Sequence, residues 1–169
     1  MMAWSEFLLA GAAFLGAHIL PMRFRGALVA RLGRGAYLVL YSLLSLGLLY
    51  WLVTAAGRAP FVPLWAQTGS MRWLVNLAMP LALFLGATGG LSGVLCGFAL
   101  WATAHLVANG DLAHLLLFGL LLAYALGGLV RAGLPRKLAP TPRRLVIWLV
   151  LWGGLYALHA PLIGVSPLP

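Results

Sequence analysis

Long apolar stretches separated by short polar breaks account for most of the chain. A run of about 18 or more apolar residues is long enough to cross a bilayer as a helix. The pattern predicts six such spans, at about residues 5–22, 36–55, 73–89, 91–108, 112–130 and 144–161. We therefore expect an all-α, polytopic integral membrane protein with six helices in one bundle and one transmembrane helical domain over residues 1–169.

The segments that join or flank the spans carry signals of their own. Thr88-Gly89-Gly90 joins the third and fourth spans, which could instead form one long broken segment. Residues 22–38, MRFRGALVARLGRGAYL, predict a short helix at the membrane interface that Gly33 and Gly35 end. The first apolar run carries Glu6 and lacks a basic start, so we interpret it as a retained helix rather than a signal peptide.

Composition excludes several classes of protein. With 63% hydrophobic and only 8% charged residues, the chain has no stretch suited to a soluble domain. Cys96 is the only cysteine, so an intrachain disulfide is excluded. The net charge of +9 by itself would suggest nucleic-acid binding, but the positions of the charges along the chain do not favour it.

The basic residues cluster in two links that share one side of the membrane. The first link and the fifth link hold Arg23, Arg25, Arg31, Arg34, Arg131, Arg136, Lys137, Arg143 and Arg144. Four predicted crossings separate these links, and only Arg58 and Arg72 fall on the opposite side. This positive-inside pattern predicts that both termini lie outside the cytoplasm. It indicates contact with membrane lipids and their anionic headgroups rather than with nucleic acid.

One face of the fourth span combines small, aromatic and ionisable residues. Gly93, Gly97, Trp101 and His105 recur every four residues, so they lie along one stripe of a helix. The glycines favour close packing of a neighbouring helix, although the same flat surface would admit a macrocycle. A histidine within a span is costly, so His105 marks either a functional site or a hydrogen bond to a carbonyl of a neighbouring helix.

The residues that follow this stripe predict a turn and a new helix. Asn109 and Gly110 favour the turn, and Asp111 is suited to the start of the fifth span, where its carboxylate caps the helix. We favour this structural role over a catalytic one. His114 falls one turn further on, near the outer surface, where water can satisfy its imidazole.

Other candidates lie on the first, second and last spans. His18 lies one turn before the end of the first helix. Tyr37, Tyr41 and Ser45 share a stripe of the second, which favours an interfacial aromatic belt and a packing serine. His159 closes the last span, as an interfacial histidine or a third candidate ligand.

The inventory of reactive side chains limits the possible chemistry. The four histidines are scattered over four spans, with one cysteine and two acids, which argues against a zinc site, a carboxylate pair or a Ser-His-Asp arrangement. Haem needs only one or two axial imidazoles and an apolar slot between helices. The pattern is compatible with haem but does not require it.

Three blocks of the sequence resemble the NnrU family of bacterial membrane proteins, which is similar to plant 15-cis-zeta-carotene isomerase. The blocks are His18 with Pro21, Arg25, Gly33, Tyr37, Tyr41 and Ser45; Gly97, Trp101, Ala104 and His105 with ANGDLAHLLLFG; and HAPLIGVSP from His159. Together they span most of the chain. The wider group is distantly similar to isoprenylcysteine-type methyltransferases, but Leu91, Ser92 and Gly93 replace the Arg-His-Pro element of those proteins, which argues against methyl transfer.

The resemblance implies a haem b cofactor held between two histidines, at His18 and His105. Gly97 and Trp101 would then lie beside the ring, and Arg25 would pair with a propionate. At 1.5 Å per residue the predicted depths of the two histidines differ by roughly 15 Å, so the haem must lie fairly flat or His159 must replace His18 as the partner.

Three functions follow as hypotheses. The first is a bis-histidine haem b protein linked to nitric oxide, denitrification or redox chemistry, with a redox partner or a membrane enzyme complex. The second is a cofactor-free accessory protein that supports the assembly of partner complexes. The third is a haem-dependent cis-trans isomerase acting on a polyene in the bilayer.

Overall fold

The structure is a computed structural model that describes the backbone of residues 2–168 and the side chains of residues 3–20 and 24–168. The described residues form α1 (Met2–Ile19), α2 (Pro21–Leu32), α3 (Arg34–Arg58), α4 (Gly69–Thr88), α5 (Gly90–Ala108), α6 (Leu112–Ala132) and α7 (Pro142–Ile163). Within this part of the chain there is no strand, only an isolated bridge between Pro63 and Asp111. The all-α prediction is confirmed.

Five helices, α3 to α7, are long and apolar enough to cross a membrane. The segments Ala3–Ile19 and Phe24–Leu32 pass the same test only together and are bent by 77°, so the described candidate spans number five, or up to six if this bent pair is one span. The protein is therefore a multi-pass membrane protein. The short helix predicted after the first span is α2, but it ends at Gly33 alone, because Gly35 already lies within α3.

Contacts divide the chain into two compact units, Met1–Phe61 and Val62–Pro169. The single domain over residues 1–169 stays a prediction. In the first unit, α1 and α3 run antiparallel, because Glu6 near the start of α1 forms an ion pair with Arg58 at the end of α3. Trp51 Nε1 donates a hydrogen bond to the same carboxylate at 3.2 Å.

In the second unit, α4 and α5 form a tight antiparallel hairpin. Its turn has Gly90 at φ +63°, a conformation that favours glycine, so the third and fourth spans are two helices rather than one broken segment. The Thr88 hydroxyl in this turn donates to the Phe84 carbonyl, and the Thr88 carbonyl accepts from Ala139 N. The link between α6 and α7 therefore lies at the same end of this unit as the hairpin turn.

The opposite end of the second unit is built by the loop before α4 and by the carboxyl-terminal segment. Leu112 N donates to the Val62 carbonyl, which ties this loop to the start of α6. Arg72 and Asn76 of α4 donate to the carbonyls of Ser166 and Pro167 at 2.9 and 2.7 Å. Successive links of this unit thus alternate between its two ends, as expected for helices that cross a membrane in turn.

Candidate functional site

The first half of the α5 stripe packs against α4. A Cβ atom on Gly97 would lie 2.2 Å from the Ala82 carbonyl oxygen, and one on Gly93 would lie 2.3 Å from the Leu85 carbonyl oxygen. Backbone approach this close is possible only for glycine, so the packing interpretation of the two glycines is confirmed. The α4 backbone occupies the space that a macrocycle would need beside Gly97.

The second half of the stripe belongs to an aromatic cluster. Trp101 stacks on Phe98 with ring centroids 5.0 Å apart, and it lies 5.2 Å from His105. Phe118 of α6 contacts both Trp101, at 5.4 Å, and His105, at 5.2 Å. Trp101 and His105 are half-buried, whereas the two glycines are buried, so part of this aromatic surface stays accessible.

The His105 ring is oriented by its own helix. Its Nδ1 donates to the Trp101 carbonyl at 2.9 Å, so the hydrogen bond expected to a neighbouring helix is instead made one turn back along α5. This bond places the proton on Nδ1 and leaves the lone pair on Nε2. Asn109 Nδ2 donates to the His105 carbonyl at 2.7 Å, which further fixes the end of the helix.

Asp111 caps α6 as predicted. Its Oδ1 accepts from His114 N at 3.1 Å, and the side chain is buried. The environment of His114 differs from the expectation, because its Nδ1 donates to Asp111 Oδ2 at 2.6 Å and its side chain is only 31% exposed. A carboxylate rather than water alone satisfies this imidazole. The three-residue spacing at a helix start was the available signal, since side chains at i and i+3 are neighbours on a helix.

Trp65 and Gln67, which the sequence did not single out, bind the carboxyl-terminal end of α5. Trp65 Nε1 donates to the Val107 carbonyl at 3.1 Å, and Gln67 Nε2 donates to the Ala108 carbonyl at 2.6 Å. Gly110 is required here, because a Cβ at this position would lie 1.9 Å from the Trp65 carbonyl oxygen. These bonds join positions about 40 residues apart, and no local pattern predicts them.

His18 lies in a second aromatic cluster, in the first unit. Its Nδ1 donates to the Phe14 carbonyl at 2.7 Å, and its ring lies 4.2 Å from Phe14 and 5.8 Å from Tyr41. Tyr41 stacks on Tyr37, also at 5.8 Å, so the predicted stripe of α3 is real. Tyr37 is buried, unlike the side chains of an exposed belt, and Ser45 Oγ is a buried hydroxyl with no hydrogen-bond partner among the described residues.

The remaining candidates lie apart from these ring contacts. Arg25 lines an open groove between α2 and the start of α3. His159 Nδ1 donates to the Val165 carbonyl at 2.7 Å. The described residues contain no group of three or more metal-binding side chains. His18 and His105 belong to different units, so their pairing stays a prediction.

The family described as NnrU protein matches residues 6–167, which covers nearly the whole chain. The chain belongs to the NnrU family. No curated protein and no solved structure matches it. The NnrU match includes both aromatic clusters, and with them His18 and His105.

Proposed function

We propose that this NnrU-family protein is an integral membrane haem b protein whose iron is bound by His18 and His105, with a role in nitric oxide, denitrification or other redox chemistry. One observation carries the proposal. Each of these two histidines donates its Nδ1 proton to the carbonyl four residues earlier, which assigns the lone pair to Nε2. Fixing a ligating histidine through its other ring nitrogen is the usual arrangement at metal centres.

The surroundings of both imidazoles also fit a haem. His105 lies against Trp101 and Phe118, and His18 lies against Phe14 and Tyr41, so each ring is held by flat, largely apolar side chains. Such side chains exclude water and limit rotation of the imidazole. When bound, haem would supply one-electron redox chemistry. The closed packing at Gly97 restricts the accessible part of the α5 stripe to its Trp101–His105 end.

A second ligand pair, His105 with His159, has its own support. His159 lies in the same unit as His105, and its Nδ1 also donates to a backbone carbonyl. A His105–His159 pair would also avoid the difference in membrane depth that the sequence predicts between His18 and His105. The contact of Arg25 with a haem propionate stays a prediction.

The absorption spectrum of the purified full chain tests the proposal. After expression with ample haem supply, we expect a Soret band and sharp α and β bands on reduction. His105→Ala and His18→Ala should abolish or strongly shift these bands, and His114→Ala is the matched control. Loss of the bands in His159→Ala but not in His18→Ala would replace the second ligand.

Two outcomes would favour the other hypotheses. Folded but colourless protein would overturn the haem proposal and support the cofactor-free accessory role, in which the histidines only complete their own helices. Turnover of a cis-carotenoid by the haem-loaded protein, and only after reduction, would assign the isomerase activity.

We also propose that the protein lies in a bacterial inner membrane with its arginine-rich links in the cytoplasm. The division of basic residues between the links supports this orientation. In a Cys96→Ser background, Arg136→Cys should resist a membrane-impermeant thiol reagent in intact cells. Ala66→Cys, in the loop before α4, should react. The reverse labelling pattern would overturn the topology.

A further inference from the structure

A basic groove lies where α2 meets α3. It has a volume of about 470 Å³ and is lined by Arg25, Gly26, Val29, Arg34, Tyr37 and Leu38. Its volume falls within the range of small-molecule sites. The lining contains two arginines and a tyrosine but no acid, so the groove is suited to an anion.

The chain offers these arginines no carboxylate side chain. It contains only two acidic residues, Glu6 and Asp111. Glu6 pairs with Arg58, and Asp111 binds His114. Arg25 and Arg34 are exposed on the groove, so the counter-charge must come from another molecule.

The backbone adds to the positive character of the groove. Gly33, at φ +76°, ends α2 and immediately precedes α3, and no side chain caps the start of that 25-residue helix. The first amides of a helix are therefore available to an anion, and the helix dipole favours negative charge there. Arg34, the first residue of α3, lines the same groove.

Apolar side chains flank the charged groups. Phe24 is 60% exposed and Leu38 is 45% exposed, on either side of the turn at Gly33. A short helix with arginines and exposed apolar residues, joined to α1 at 77°, is typical of the boundary between headgroups and acyl chains. A ligand with an anionic head and an apolar body matches both features.

We propose that this groove binds the phosphate of an acidic phospholipid. The planar guanidinium groups of Arg25 and Arg34 match phosphate oxygens in pairs, and the Tyr37 hydroxyl supplies a further donor. Acyl chains would run along the apolar flank. Because Tyr37 stacks on Tyr41, and Tyr41 contacts His18, a lipid headgroup in the groove adjoins the His18 cluster. The proposal does not depend on haem.

Native mass spectrometry of the full chain in detergent tests it, with phosphatidylglycerol and phosphatidylcholine of identical acyl chains. The wild type should retain phosphatidylglycerol preferentially. Arg25→Gln/Arg34→Gln should weaken that binding by about fivefold per arginine removed. Arg31→Gln/Arg143→Gln removes the same charge from exposed positions outside the groove, and its effect should stay within about twofold because solvent and salt screen exposed charges away from the ligand.

A second variant separates loss of the site from loss of fold. Arg25→Lys/Arg34→Lys keeps the charge but removes the paired donors, so it should bind with intermediate strength and show the helical circular dichroism of the wild type. Equal losses in the groove and control variants, or equal retention of both lipids, would overturn the proposal. Full displacement of the lipid by inorganic phosphate would identify the groove as a site for a free anion, and displacement by hemin would identify it as a site for a haem propionate. Either result would overturn the proposal of a phospholipid site.

Discussion

The two halves of the α5 stripe share one periodicity and have opposite surroundings. Gly93 and Gly97 lie against the backbone of α4, so closely that neither position can carry a side chain. One turn further on, Trp101 and His105 meet the aromatic side chains Phe98 and Phe118 and keep accessible surface. The same face therefore holds two helices together at one end and presents an oriented imidazole at the other.

The difference shows that residues sharing one helix face can serve packing at one end of the helix and a candidate site at the other. Close packing at the glycine end fixes the position of α5 against α4. Because the helix is rigid, this packing also fixes where Trp101 and His105 lie. Damage to the first half should therefore affect both stability and the candidate site, whereas changes in the second half should act on the site alone. Variants at Gly97 and His105 test this division, and variants at Asp111 and His114 test the adjoining start of α6.

Gly97→Ala should have the largest effect. Alanine forms helices better than glycine by about 1 kcal/mol, so the change would stabilise an open helix. Here the new Cβ meets the Ala82 carbonyl, and we expect a loss of about 2–3 kcal/mol in the free energy of unfolding, measured by thermal unfolding in detergent. Gly127→Ala on α6 meets nothing within 4 Å and should be neutral or stabilising. A stable Gly97→Ala protein would contradict the packing.

His105→Phe should remove the haem bands while changing stability little. Phenylalanine keeps an aromatic ring beside Trp101 and Phe118 but supplies no lone pair for a metal. Thermal unfolding and the absorption spectrum, measured on the same preparation, separate the two effects. Retention of wild-type haem bands would exclude His105 as a ligand.

Asp111→Ala should lower the free energy of unfolding by about 1–2 kcal/mol, less than the loss expected at Gly97, since it removes the cap of α6 and the partner of His114. Asp111→Asn can still accept from His114 N and should retain most of that stability and any cofactor. Chemical denaturation followed by circular dichroism compares the two variants. Complete loss of cofactor from Asp111→Asn would instead indicate that the carboxylate orients a ligating His114.

His114→Ala should have the smallest effect, within about 0.5–1 kcal/mol and with unchanged haem bands, because Asp111 continues to cap the helix. The spectrum is the decisive measurement. If His114→Ala lost haem while the His105 variant kept it, the ligand assignment would be reversed.

Local patterns predicted the helices well. The fourth span, expected at about residues 91–108, is α5 at Gly90–Ala108, because hydrophobic runs bounded by glycine and asparagine mark helix ends. Asp111 was assigned correctly as a cap, since capping depends on neighbours within one turn. The first helix ends earlier than expected, at Ile19, because Pro21 already begins α2.

The candidate site was only partly predictable. The Trp101–His105 face followed from periodicity, and Phe118 did not, because its approach depends on how α6 packs on α5. The carboxylate partner of His114 could have been predicted from the sequence, because Asp111 precedes it by three residues at a helix start. The hydrogen bonds of Trp65 and Gln67 to α5 could not, since they depend on where a distant loop folds back.

The sequence by itself determined the membrane class, the approximate ends of the five long spans, the clustering of basic residues and the membership of His105 in a glycine-aromatic stripe. Those features follow from composition and from the period of a helix, which are local. Only the tertiary structure decided which half of the stripe α4 covers, which carbonyls fix the imidazoles and how Arg25 and Arg34 line one groove. A period identifies the residues that share a face, but the approach of another segment determines what that face contacts.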